Sequence, residues 1–158
     1  MEVEFRDGTT LCLREQIIRE ANKRIESLGF LRESGGILLG RQFLQEEAYE
    51  LDKMTYPGKR DIRRRFWFIR SKESANSIIR KTWLDSGGEQ NYIGEWHTHN
   101  EAVPRPSSED RRLLKSVVLD ASCPLDRVFM IIVGNAGKVF IGMAYADGSG
   151  EFEDEVVV

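Results

Sequence analysis

The chain has 158 residues, 41% of them hydrophobic and 31% charged, a balance that suits one globular domain with a core of its own. Its formal net charge of -3 gives no general attraction to nucleic acid or to an anionic membrane surface. No apolar run approaches the ~20 residues of a membrane span, and Met1-Glu2-Val3-Glu4 lacks the basic and apolar regions of a secretion signal. Cys12 and Cys123 stand far apart with no paired spacing. They are expected as buried thiols, ahead of a disulfide or zinc ligands, in a reducing, cytoplasmic setting.

Val3 to Phe5 reads as a short first strand and Asp7-Gly8 as a turn. Leu13, Ile17, Ala21, Ile25 and Leu28 recur at helical steps, with Arg14, Glu15, Arg19, Glu20, Lys23 and Arg24 on the wetter side and Gly29 as C-cap. Gly35 to Phe43 predicts a central strand, where Gly35 and Gly36 suggest close approach of another backbone or a ligand. Gln45-Glu46-Glu47 is a turn, Ala48 to Thr55 the partner strand, and Pro57 to Asp61 a loop. Arg60, Arg63, Arg64 and Arg65 form a basic cluster, read either as a solvated loop or as a contact for an acidic partner.

Phe66 to Ile69 reads as a buried strand, and Ser71 to Leu84 as a second helix with Ala75, Ile78, Ile79 and Trp83 on one face. Tyr92 to His97 returns as a strand, and Asn100 to Pro106 is a loop. Ser107 to about Ala121 is a third helix, with Leu113, Leu114, Val117 and Val118 inward. Val128 to Val133 and Lys138 to Tyr145 predict a hairpin around Gly134-Asn135-Ala136-Gly137. Asp147 to Gly150 is a turn, and Glu151 to Val158 a last edge strand or a loose tail. The fold class is α+β, with helices against a curved, mixed sheet.

The chemistry concentrates in Gly94-Glu95-Trp96-His97-Thr98-His99, which holds the only two histidines of the chain. Residues two apart on a strand share a face, so both imidazoles turn the same way. Asp110 follows in the first turn of the third predicted helix. Two nitrogens and one oxygen are the protein ligand count of a catalytic zinc site, with the fourth position left for water. Ser107-x-x-Asp110 also reads as a capping box, in which Ser107 accepts from the Asp110 backbone N–H and the carboxylate sits favourably on the helix dipole. The two readings need not compete, because a capped helix start is a rigid platform for a ligand.

The whole spacing is His-Thr-His, seven residues, Ser107, two residues, Asp110. It resembles the signature of the JAMM metallopeptidases, also called the JAB or MPN-plus family. That family places a glutamate before a Gly-containing apolar strand, and here Glu33 precedes Ser34-Gly35-Gly36-Ile37-Leu38-Leu39-Gly40. The resemblance covers roughly Leu13 to Ala146. It implies a single JAB/MPN domain over residues 1–158, in a cytidine-deaminase-like layout with about three helices beside the sheet. It implies one Zn2+ held by His97, His99 and Asp110, Glu33 as general base, and Ser107 as hydrogen-bond donor to the oxyanion. Other divalent ions could substitute for zinc. On its own, Glu33 reads as a solvated residue between helix and strand. Glu26 and Glu95 are its rivals, and on a regular strand Glu95 shares a face with the histidines.

The resemblance further implies hydrolysis of the isopeptide bond between a ubiquitin-like C-terminal tail and a lysine. The compact chain looks like bacterial members encoded beside ubiquitin-like ligation machinery, some of it antiphage. Its expected partners are a ubiquitin-like or otherwise conjugated protein, E1/E2-like pathway proteins and their target enzyme. The tail is expected to lie extended beside a sheet edge. Trp67, Trp83 and Trp96 either line its path or pack in the core. Two other functions fit less of the pattern: a metallohydrolase of small molecules, free peptides or sulfur-carrier tails, and a non-catalytic MPN scaffold. Scaffolds typically lack some ligands, whereas this chain has the set.

Overall fold

Alternating apolar residues make the strands, and the same alternation sorts their side chains onto two faces. In this computed structural model, residues 1–43, 45–63, 68–69, 71–120, 126–146, 152 and 154–158 are described. The strands are β1 (Glu2–Glu4), β2 (Thr10–Leu13), β3 (Gly35–Phe43), β4 (Ala48–Met54), β5 (Ile62–Arg63), β6 (Phe68–Ile69), β7 (Asn91–Thr98), β8 (Arg127–Val133), β9 (Val139–Tyr145) and β10 (Asp154–Val157). The helices are α1 (Glu15–Leu28), α2 (Lys72–Asp85) and α3 (Ser108–Asp120).

Eight strands form one sheet in the order β1-β2-β4-β3-β7-β8-β9-β10, and β5 pairs with β6 alone. The large sheet is mixed: β2 runs parallel to β4 and β7 parallel to β8, while the other pairs are antiparallel. Leu38, Ile93, Trp96, Phe129 and Ile131 face one way and pack with Ala21 and Ile25 of α1. Ile37, Leu39, Tyr92, Met130 and Ile132 face the other way and pack with Ala75 of α2 and with Leu114 and Val118 of α3. The expected α+β fold, a curved mixed sheet flanked by three helices, is the one found.

The sheet curls until its ends approach. The Arg6 N–H, just past β1, donates to Asp154 Oδ2 on β10 at 2.7 Å. Asp7 Oδ2 accepts from the Tyr145 hydroxyl at 2.8 Å and from Arg127 at 3.3 Å. Two glycines permit close passages through the centre. A Cβ on Gly36 would stand 2.2 Å from the Thr55 carbonyl oxygen, and one on Gly94 would stand 1.9 Å from that of Phe129. Either would force main chain apart.

Several expectations are corrected. Leu13 closes β2 rather than opening α1, because Leu11 and Leu13 point inward with strand alternation while Thr10 and Cys12 stay half-buried. The stripe of α1 therefore begins at Ile17. Trp83 is 46% exposed and Leu113 is 38% exposed, so neither is a core anchor, and Leu114 with Val118 turns inward on α3 instead. Trp96 is buried, and its indole N–H donates to the Thr55 carbonyl at 2.8 Å. Cys12 is a half-buried free thiol. Gly29 caps α1 with φ +67° as expected, and the final segment forms the edge strand β10. Phe66, Trp67, Arg64, Arg65, Cys123 and the 147–150 turn lie outside the described residues. Among the described residues, no helix is long and apolar enough to cross a membrane.

Candidate metal centre

Three elements deliver the side chains. β7 carries His97, opposite Gly35 of β3, and runs parallel to β8 with His97 level with Ile132. The next residues are pinned rather than loose. The His99 N–H donates to the Val133 carbonyl at 3.0 Å, and the Asn135 N–H donates to the Glu101 carbonyl at 2.8 Å. Asn135 also donates from its side chain to Asn100 Oδ1 at 2.8 Å. The β8–β9 turn thus holds the chain leaving His99. α3 begins just beyond this loop, with Asp110 in its first turn.

His97, His99 and Asp110 converge, and all three are buried. His97 Nε2 lies 3.2 Å from His99 Nε2 and 3.0 Å from Asp110 Oδ1. His99 Nε2 lies 3.3 Å from Asp110 Oδ2. A tetrahedral ion with ligand bonds of ~2.0–2.1 Å requires donors about 3.3 Å apart. Two imidazole lone pairs aimed at one point also repel unless a proton or cation lies between them. Spacing and donor chemistry both fit a divalent cation.

Electrostatics prepare the same point for positive charge. Burial pushes the Asp110 carboxyl up, but contacts with His97 and His99 and the Ser107 backbone N–H outweigh it and hold the group well below the usual carboxylate range. Burial pulls His99 down, yet the hydrogen bond and charge of Asp110, with Glu33 and Glu101 behind, leave its pKa raised. Burial raises the half-buried Glu33 carboxyl; His99 and His97 oppose this, Asp110 and Glu101 reinforce it, and the net shift is upward. Glu33 thus stands within electrostatic reach of all three candidate ligands.

Ser107 and Asp110 make the anticipated box. Asp110 N–H donates to Ser107 Oγ at 3.2 Å, and Ser107 N–H donates to Asp110 Oδ2 at 2.6 Å. Glu26 and Glu95 are the other carboxylates that the sequence offers for the role of Glu33. Glu26 is exposed on α1, and Glu95 is buried with its carboxylate accepting the Tyr92 hydroxyl at 3.1 Å. Two participants escaped the sequence reading: Glu101, whose charge reaches Glu33 and His99, and Thr98, whose hydroxyl accepts the Ser34 N–H at 3.0 Å. Thr98 sits inside the motif, but nothing in its spacing announces a bond to a residue 64 positions away.

With this geometry in hand, comparison with known proteins is decisive about ancestry. A family profile described as prokaryotic homologs of the JAB domain matches residues 13–144. The chain belongs to this prokaryotic JAB family. Among curated relatives, one from Vibrio cholerae named CD-NTase/cGAS isopeptidase is 33% identical over 103 residues, covering 65% of this chain and 62% of the relative. A Pseudomonas aeruginosa protein of the same name is 37% identical over 79 residues, half of this chain and 49% of its own length. A probable metalloprotease of Sinorhizobium fredii is 32% identical over 102 residues, 64% of this chain and 62% of the relative. The chain thus spans under two thirds of the length of these relatives. The solution structure of protein DSY2949 from Desulfitobacterium hafniense shares the fold, with a TM-score of 0.56 at 19% identity over 85% of this chain and 88% of that one.

Proposed function

We propose that this protein is a zinc-dependent isopeptidase that releases a conjugated protein by cutting the amide that joins its C-terminal tail to a lysine. The observation that carries the reading is the buried set of His97, His99 and Asp110 at ligand spacing with Glu33 beside it. A zinc ion at this set supplies a water of lowered pKa, toward ~7, and Lewis-acid polarisation of the scissile carbonyl.

The remaining work falls to the protein. Glu33, half-buried and raised in pKa, accepts the proton of the attacking water and delivers it to the departing amine. Ser107 Oγ already accepts the Asp110 N–H, which leaves its hydroxyl hydrogen free to donate to the developing oxyanion. Asp110 stays ionised, and its Ser107 N–H contact fixes the direction of the carboxylate.

The names of the two isopeptidase relatives support CD-NTase/cGAS-type proteins as one partner of the bond. A bacterial conjugation pathway of the antiphage kind is the setting this reading gives the enzyme. A ubiquitin-like tail belongs to the same substrate class. The test is incubation of the zinc-loaded protein with a lysine-linked tail conjugate, beside small amides and free peptides. Cleavage of the conjugate supports deconjugation. Cleavage of small substrates alone refutes it in favour of a small-substrate metallohydrolase.

A further inference from the structure

We infer that Thr98 is a positioning residue for Glu33. The inference rests on the catalytic reading of Glu33 proposed above. The β3–β7 ladder runs in register from Leu38↔Gly94 to Gly35↔His97, which makes Ser34 and Thr98 the next facing pair. In a regular antiparallel ladder such a hydrogen-bonded pair exchanges two main-chain bonds. One of them is present: the Thr98 N–H donates to the Ser34 carbonyl at 2.8 Å. The return bond is not made to the Thr98 carbonyl. The Ser34 N–H donates instead to Thr98 Oγ1, at 3.0 Å.

A side-chain hydroxyl therefore stands in for a carbonyl at the point where β3 leaves the sheet, and Glu33 is the next residue out. Ser34 and Thr98 are 0% and 1% exposed, so water cannot replace the bond if it is lost. A β-branched side chain is stiff at χ1, which turns the hydroxyl into a fixed post. Thr98 also lies between His97 and His99. The strand that aims both imidazoles thus sets the departure angle of the segment that carries the base. Thr98 acts on the reaction through the Ser34 peptide and Glu33.

The test compares Thr98→Val and Thr98→Ser with the wild type, all as the zinc-loaded full chain. Zinc content, kcat and KM on a tail conjugate, and hydrogen exchange at the Ser34 amide are measured together. Thr98→Val should keep zinc and KM, lose about 10–100-fold in kcat as supporting groups around metal sites do, and expose the Ser34 amide to faster exchange. Thr98→Ser should restore both kcat and protection. If Thr98→Val does not fold, Thr98→Ala is read in the same way. Wild-type kcat in the folded Val or Ala variant, unchanged Ser34 protection, or a rate loss explained by lost zinc would each overturn the inference. A wild-type protein that leaves every conjugate intact would refute the isopeptidase reading alone, because the exchange comparison still decides what Thr98 holds.

Discussion

Ser107 and Asp110 hold each other twice: the Ser107 N–H meets Asp110 Oδ2 at 2.6 Å, and the Asp110 N–H meets Ser107 Oγ at 3.2 Å. One pair of bonds closes the first turn of α3 and orients the candidate metal ligand. The carboxylate keeps Oδ1 turned to His97, at 3.0 Å. Ser107→Ala removes an N-cap acceptor worth about 1 kcal/mol of stability. It also removes the proposed oxyanion donor, and cleavage should slow by about 10²–10³ with zinc retained. Steady-state kinetics on a conjugate checks this; a wild-type rate in a stable variant would leave Ser107 with the cap alone.

His97→Ala and Asp110→Ala should each lose the metal. The three donor groups are mutually within ligand spacing, and two donors cannot replace the full set. Elemental analysis of the purified variants is the direct measurement. Zinc content equal to the wild type in either variant would remove that residue from the ligand set.

The motif was legible because metal chemistry fixes residue types at fixed spacings. The strand end that pairs the histidines and the helix start that presents Asp110 are both local features. β3, α2, the β8–β9 hairpin and the cap at Gly29 were legible for the same reason, since period and turn residues act over a few positions. β2 was hidden because Leu13 satisfies strand alternation and the helical step to Ile17 at once, and only its parallel pairing with β4 decides between them. Trp83 and Leu113 lie on helical stripes that run wider than the surface they cover. The Thr98–Ser34 bond and the reach of Glu101 depend on the folded chain, so no local pattern encodes them.

The approach between β1 and the far end of the sheet should respond to acid. Burial raises the Asp7 carboxyl, but hydrogen bonds from Thr9 and Tyr145 and the charge of Arg127 leave its pKa below the ordinary value. A carboxyl whose pKa is lower folded than unfolded stabilises the protein above the unfolded value, and this stability is lost as pH falls through the folded value. Asp7→Asn should lower Tm near neutral pH by roughly 2–4 °C, equivalent to about 1 kcal/mol in a chain of this size. The gap should begin to narrow below about pH 4, where the unfolded chain's carboxyl takes up its proton, and should close as pH falls through the lower folded value. Thermal melts across pH give the answer, and a gap that widens in acid would contradict this role for Asp7.

Gly36→Ala should destabilise the fold through backbone crowding. The added methyl meets the Thr55 carbonyl oxygen at 2.2 Å, and that oxygen also accepts the Trp96 indole N–H at 2.8 Å. Overpacking of this kind costs about 1–3 kcal/mol. Denaturant titration should show a lower midpoint at unchanged slope. A midpoint equal to the wild type would mean that β4 yields without cost.

Glu33→Ala separates metal binding from bond cleavage. Zinc content and cleavage of a lysine-linked tail conjugate are measured on the same preparations of wild type and variant. One zinc is expected in each, with release of the tail by the wild type and none by the variant. A variant that still releases the tail, or a zinc-loaded wild type that leaves the conjugate whole, would contradict the proposed mechanism.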